Sequence, residues 1–276
     1  MGKSSALKKI LFTHGKTYAA ASFFFSKKIK EKVYILYAFV RILDDYVDTG
    51  NHTPDQTMAY FQQKKKELQE GESSDKFVKL FIQLIHEEKI PLQYPMAFID
   101  SMIMDISITS YATFHDLEKY MFGSAYSIGV IMAYIMKVEK AYFSYAGMLG
   151  NAMQLTNFLR DIGEDKERGR LYIPLDMMKK YGYTITAYNN ELYNASFVNL
   201  YKNMIRQNHE MYKKVGKIIK YIPDSRSRIA VRSALVLYEK ILDKIVDENY
   251  QIYTKRVSTT RKEKILVMLA IALQKW

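Results

Sequence analysis

The sequence predicts an all-α protein. Apolar residues recur at i, i+3, i+4 and i+7 along long segments, which is the period of a helix face. No stretch alternates apolar and polar residues over the length of a strand. The five prolines, Pro54, Pro91, Pro95, Pro174 and Pro223, all fall at breaks in that periodicity. The period outlines helices over 30–48, 54–70, 75–88, 93–106, 114–136, 138–164, 195–221, 226–252 and 259–273. No linker rich in Gly, Ser or Pro and no internal repeat divides the 276 residues, so a single domain over 1–276 is expected.

Composition narrows the function classes. A hydrophobic content of 49% is enough for a sizeable core. The absence of cysteine excludes a disulfide framework, a thiolate nucleophile and a Cys-type zinc site. A net charge of +12 suits nucleic acid, an anionic membrane surface or an anionic substrate. Lys and Arg are scattered along the whole chain and no nucleic-acid motif is present, so the last two are preferred. No window holds eighteen unbroken apolar residues, and the first residues do not form a convincing signal peptide.

In chain order, His14-Gly15-Lys16-Thr17-Tyr18 precedes a run of small residues, Ala19 to Ser22, and then Phe23 to Phe25. Small residues beside aromatics suit either tight helix packing or the wall of an apolar channel. The first long helix carries Tyr37, Arg41, Asp44 and Asp48 one turn apart, with Leu36, Phe39, Val40, Leu43 and Val47 over most of the rest. A helix apolar nearly all round is buried, and buried carboxylates are expensive unless paired or metal-bound. Thr49-Gly50 stops it. Thr113 to Asp116 resembles a capping box at the start of 114–136. Gly123, Ser124, Ala125 and Gly129 stand inside that helix, where each Gly costs about 1 kcal/mol relative to Ala, so another helix or a ligand comes close.

The organising stretch is Asn157 to Asp165, where Asn157, Asp161 and Asp165 stand four residues apart. On one helix they form a row of an amide and two carboxylates. Asp is a poor helix former and like charges at this spacing repel. One such row can be a solvated stripe. Two of them, each inside an apolar helix, point to divalent cations shared with phosphate oxygens. Arg160 to Arg170 mixes charge signs, and Lys255, Arg256, Arg261, Lys262 and Lys264 form a basic cluster near the C-terminus.

Together these segments resemble the squalene and phytoene synthase family. The matching motifs are H-x-K-[ST]-[FY] at His14–Tyr18, L-Y-A-x-x-R-x-x-D-D-x-x-D at Leu36–Asp48 and G-x-A-x-x-x-G at Gly123–Gly129. They continue with Q-x-x-N-x-x-R-D-x-x-E-D at Gln154–Asp165 and R-x-Y-[IF]-P at Arg170–Pro174. The combination is specific and runs from His14 to about Arg261. It implies the isoprenoid synthase fold: a helical bundle around a long apolar cavity, with the two Asp helices facing each other across its mouth. It also implies head-to-head joining of two prenyl diphosphates through a cyclopropylcarbinyl diphosphate. The expected product is dehydrosqualene, from two farnesyl diphosphates. The alternatives are phytoene from geranylgeranyl diphosphate, squalene with NADPH, and a prenyl diphosphate phosphatase. A helical partner without activity is disfavoured by the intact aspartates.

The resemblance assigns roles residue by residue. Asp44, Asp48, Asn157, Asp161 and Asp165 would hold Mg²⁺, as three ions bridged by diphosphate. Tyr37, Arg41, Tyr120, Asn157, Arg160 and Tyr238 would act on the diphosphate. His14, Thr17, Tyr18, Ser22, Tyr34, Ser124, Ala125, Ile128, Gln154 and Arg256 would bind substrate. Tyr18, Phe122 and Phe23 to Phe25 would offer π-faces to a carbocation. Tyr18 departs from the family's usual Phe. Ser22, small where relatives can be bulkier, would lengthen the pocket, and Tyr34 would narrow it again. A short chain without a C-terminal anchor or dinucleotide fingerprint resembles the bacterial carotenoid-type enzymes, which end by proton loss. The expected setting is the cytoplasm, with peripheral contact on the inner face of the membrane, as a monomer or weak dimer without nucleic acid.

Overall fold

The computed structural model describes Leu7, Leu11 and residues 20–48 and 51–273. His14, Thr17 and Tyr18 lie outside the described residues. The described chain is helical throughout, and its one β-bridge joins Ser110 to Leu171.

Helix α1 (Lys27–Asp48) begins a turn earlier than the periodicity suggests and buries Val33, Leu36, Phe39 and Leu43. Helices α2 (Pro54–Glu70) and α3 (Lys76–Glu88) start at the N-caps Thr53 and Asp75, whose side chains accept backbone N–H groups. Helix α4 (Gln93–Met104) follows. The segment 114–136 divides into α5 (Phe114–Met121), a π turn over Phe122–Tyr126 and α6 (Ser127–Ile135). Thr113 does cap α5, but Asp116 turns its carboxylate onto the Thr113 hydroxyl at 2.7 Å, so the box is only half formed.

The segment 138–164 is not one helix. A 3₁₀ turn over Lys140–Tyr142 leads into α7 (Phe143–Arg160), Asp161 closes it, and α8 (Ile162–Glu167) continues after a bend. Two short helices, α9 (Leu175–Lys180) and α10 (Ile185–Asn189), fill what periodicity left as loop. Both are too short for a repeat to show. Helices α11 (Ala195–Gly216), α12 (Ser225–Asp247) and α13 (Arg261–Ala272) complete the chain. α12 stops five residues short of the expected 252, because Asn249 and Tyr250 adopt positive φ.

Helix α7 is the hub: α6, the π turn, α11 and α12 all pack against it. The glycines inside 114–136 answer to this packing. A Cβ on Gly129 would stand 2.1 Å from the carbonyl oxygen of Ala146 on α7, and one on Gly123 would stand 2.2 Å from that of Ala97 on α4. A small separate cluster of Leu7, Leu11, Tyr34 and Ala38 covers the other side of α1. The structure therefore corrects one expectation. Tyr34 packs there, two residues from Leu36 on the cavity side, and does not line the cavity.

Candidate active site

A cavity of about 840 Å³ opens between α1, the π turn, α6, α7 and α12. Its body is apolar: Leu36 and Val40, Ile128 and Met132, Leu149 and Met153, Val231 and Ala234. Ser22 and Phe25 come from the start of the described chain, and Ile219 and Ile222 from the α11–α12 connection. One wall is polar, built by Tyr37, Arg41, Gln154, Asn157, Arg160, Tyr238 and Arg256. Three lining side chains leave a buried polar atom without a hydrogen-bond partner among the described residues: Arg41 Nε, Ser124 Oγ and Thr259 Oγ1. A buried donor or acceptor left this way costs about 1–3 kcal/mol, which a polar ligand can recover.

The aspartates adjoin the polar wall. Asp44 lies one turn beyond Arg41, which donates to it at 2.7 Å and also pairs with Asp45. Arg160 and Arg256 both donate to Asp161, Arg256 from Nε at 2.8 Å and from Nη2 at 3.2 Å. Burial pushes Asp161 up, but these two guanidinium groups outweigh it and hold the carboxyl below its ordinary range. Asp44 and Asp165 go the other way. Burial first, then the neighbouring Asp48 for Asp44 and Asp161 for Asp165, push both to about 7. The Asp44 side chain is still 38% exposed, so solvent tempers that shift. Burial also pushes the Tyr37 hydroxyl up to about 12 and raises that of Tyr238, so both remain protonated donors at neutral pH.

Just past the bend at Asp161, α8 meets a segment distant in sequence. A Cβ on Gly163 would stand 2.1 Å from the carbonyl oxygen of Tyr253, so only glycine lets α8 press against that segment. Arg256, three residues after Tyr253 in the same segment, reaches Asp161. The backbone bonds Asp161 N–H to Asn157 and Asp165 N–H to Asp161 still run on at 2.8 Å each. The row of Asn157, Asp161 and Asp165 survives the bend, although it spans two helices rather than one.

The two aspartate motifs are joined by a residue pair that periodicity does not single out. Arg170 donates to Asp48 at 3.2 Å and Arg168 does so at 3.3 Å. Beneath them Asp105, at the end of α4, accepts hydrogen bonds from Tyr120 at 2.9 Å and Tyr172 at 3.2 Å. Burial pushes Asp105 up to about 6, against the pull of Arg170 and the two hydroxyls. The motif Arg170–Pro174 thus has a structural purpose: its Arg reaches one aspartate helix, and its Tyr ties down a half-buried acid next to it. The signal for Asp105 was an isolated acid in the apolar run Met102 to Ile108.

Of the substrate-site residues expected from sequence, Ser22, Ser124, Ala125, Ile128, Gln154 and Arg256 line the cavity, and Tyr34 does not. Tyr37, Arg41, Asn157, Arg160 and Tyr238 line it too, whereas Tyr120 is buried beside it against Asp105. Phe25 is part of the wall, but Phe23 is 72% exposed and Phe122 is 48% exposed and stacked on Tyr126, so neither faces the cavity. The wall's further aromatics, Tyr142 and Tyr145, were missed because nothing in their spacing marks them. Among the described residues no three carboxylates or imidazoles converge closely enough to hold a bare metal ion. The donor set of carboxylates and one amide still fits a hard, oxygen-liking cation that takes its remaining ligands from phosphate.

Residues 11–263 match the model of the squalene/phytoene synthase family. The chain belongs to that family, whose enzymes join prenyl groups head to head. It is 28% identical to a 15-cis-phytoene synthase of Enterobacter agglomerans, over 94% of this chain and 91% of that protein. It is 27% identical to a chloroplastic phytoene synthase of Daucus carota, over 94% of this chain but 67% of that protein. The chain spans about two thirds of the length of such chloroplastic relatives. In fold it is similar to a dehydrosqualene synthase, with a TM-score of 0.88, 23% identity and coverage of 97% and 94% of the two chains. It is also similar to the squalene synthase HpnC of Alicyclobacillus acidocaldarius, with a TM-score of 0.81, 18% identity and coverage of 89% and 94%. These are all-α isoprenoid synthase folds, and this chain has the same one.

Proposed function

We propose that this enzyme condenses two farnesyl diphosphates head to head into dehydrosqualene, with Mg²⁺, and releases pyrophosphate. The observation that carries this is the juxtaposition of an apolar cavity of about 840 Å³ with a polar wall flanked by two aspartate motifs. Mg²⁺, when bound by Asp44, Asp48, Asn157, Asp161 and Asp165, would neutralise charge on the departing diphosphate.

The chain's own groups do the rest. Arg41, Arg160 and Arg256 present fork donors to phosphate oxygens, worth roughly twice a neutral hydrogen bond. Tyr37 and Tyr238 stay protonated and donate to the leaving group. As the C–O bond of the first substrate breaks, an allylic cation forms in the apolar body, where Phe25, Tyr142 and Tyr145 offer π-faces. The double bond of the second substrate attacks that cation, and loss of a proton closes the cyclopropane. Ionisation of the second diphosphate at the same polar wall allows rearrangement, and a last proton loss gives the conjugated triene.

A second reading keeps the mechanism and lengthens the substrate: two geranylgeranyl diphosphates would give phytoene. Two observations favour it, the small Ser22 in the wall and the names of the relatives by sequence.

The deciding experiment incubates the protein with Mg²⁺ and either diphosphate, with and without NADPH, and identifies the extracted hydrocarbon by mass. A thirty-carbon triene formed equally without NADPH is expected. A forty-carbon product would replace this reading by the second. Squalene appearing only with NADPH would change the ending to hydride transfer. Prenyl alcohol alone would overturn condensation altogether.

A further inference from the structure

Helix α13 turns its apolar side outward. Ile265, Leu266, Leu269 and Leu273 are 49%, 56%, 56% and 83% exposed, and their spacing puts them on one face. The opposite face is the one that packs. Ile271 is buried, Glu263 accepts two hydrogen bonds from Lys244 of α12 at 3.0 and 3.2 Å, and Lys264 reaches the cavity wall. The same glutamate completes a capping box with Thr260, so the helix is firmly started. A folded surface helix ordinarily shows the reverse pattern, with charge outside and leucine inside. Contiguous exposed apolar side chains on a well-formed helix mark an interaction surface.

We infer that α13 is a membrane-docking helix that lays this face on a bilayer containing anionic lipid. Charge complementarity selects this occupant. Arg261 and Lys262 are exposed at the start of the helix and form no ion pair among the described residues. Lys262 lies one turn before Leu266 and so stands at the N-terminal end of the apolar face. The whole chain carries +12. An interfacial helix of this kind buries its apolar face about 5–10 Å into the headgroup region while basic residues meet lipid phosphates. A second copy of the chain fits worse. Four side chains fall well short of the roughly 1,200 Å² that a stable interface needs. No described helix is long and apolar enough to cross a membrane, so the contact would be peripheral.

The placement also serves the site. Arg256, Ser258, Thr259 and Lys264, all in or just before α13, line the cavity. This part of the argument rests on the proposed function: a hydrocarbon product has no aqueous sink, and the element that seats on lipid is also part of the cavity wall.

Flotation of the full chain with vesicles tests the inference without any turnover. The chain should float with vesicles of phosphatidylcholine and phosphatidylglycerol at low salt, and far less with phosphatidylcholine alone. Leu266→Glu with Leu269→Glu should weaken partition about a hundred-fold, since each buried leucine is worth about ten-fold. Lys262→Glu should reduce the preference for anionic vesicles while circular dichroism stays unchanged. Absence of flotation with anionic vesicles, or flotation unaltered in the double leucine variant, would overturn the inference. So would light scattering that shows a dimer which the double variant dissolves. Flotation without turnover would sink the proposed function alone, and turnover without flotation would sink this inference alone.

Discussion

The hydroxyl of Tyr120 stands 2.9 Å from a carboxylate oxygen of Asp105, in the packed interior rather than in the cavity. Tyr172 donates to the same carboxylate from the other side at 3.2 Å, and its ring stacks on Phe158 of α7. One half-buried acid thereby connects α4, α5 and the strap that carries Arg170 to Asp48. The two aspartate motifs hold their spacing through this network as well as through α1 and α7 themselves.

Removing Asp105 should therefore be costly to the fold. Asp105→Ala removes the acceptor that both buried hydroxyls use; Tyr120 and Tyr172 still bond each other, so one hydroxyl is left without an acceptor and the loss should be about 1–3 kcal/mol. Asp105→Asn keeps one acceptor oxygen and should lose less than half as much. Urea titration followed by circular dichroism measures both. An alanine variant as stable as the parent would show that the network is slack.

Asp161 and Asp44 should be indispensable to turnover, while the helical fold persists without either. Asp161→Ala or Asp44→Ala should abolish pyrophosphate release and leave the helical signal intact, because the core around α7 is apolar and independent of either carboxylate. Chelation of Mg²⁺ should do the same, stopping release reversibly without unfolding. Near-normal release in either variant, or in excess chelator, would remove the aspartates from the chemistry.

Much of this was legible in the sequence, and the limits are physical. Helical period marks long amphipathic segments, so α1 to α4, α11 and α12 stand out. It fails for α9 and α10, which are shorter than two full periods and take their stability from packing. It also runs straight through the bend at Asp161, past which Gly163 packs against the carbonyl of Tyr253, ninety positions away in sequence. Cavity residues on long helices, such as Arg41 and Asn157, follow from their motifs. Tyr34 does not, since one step around α1 separates the cavity face from the side that covers Leu7 and Leu11.

Ser22 should set product length. Its side chain is buried in the cavity wall, beside Phe25. Ser22→Phe would fill part of the apolar body and should shift the ratio of turnover with the fifteen-carbon over the twenty-carbon diphosphate by about ten-fold or more, the scale on which a pocket discriminates a few methylenes. Competition between the two substrates with mass detection of products measures this. An unchanged ratio would place the end of the chain elsewhere in the cavity.

Stability should carry a histidine signature away from the site. His209 of α11 faces Glu239 at 3.0 Å and Asp243 at 3.4 Å, both on α12. The hydrogen bond to Glu239 raises its pKa above the ordinary 6.5, burial opposes this, and the charges of Glu239 and Asp243 add to the rise. The folded state thus binds the proton more tightly than the unfolded chain does. Its contribution is fully present below pH 6.5 and is lost as pH rises through the higher folded value. His209→Gln removes it, so the stability gap between parent and variant should be largest near pH 6, at no more than about 1 kcal/mol for a partly exposed pair, and should close by pH 9. Chemical denaturation across that range measures the gap. A gap that widens with rising pH would mean that His209 is held neutral in the fold, and that the α11–α12 contact does not depend on its charge.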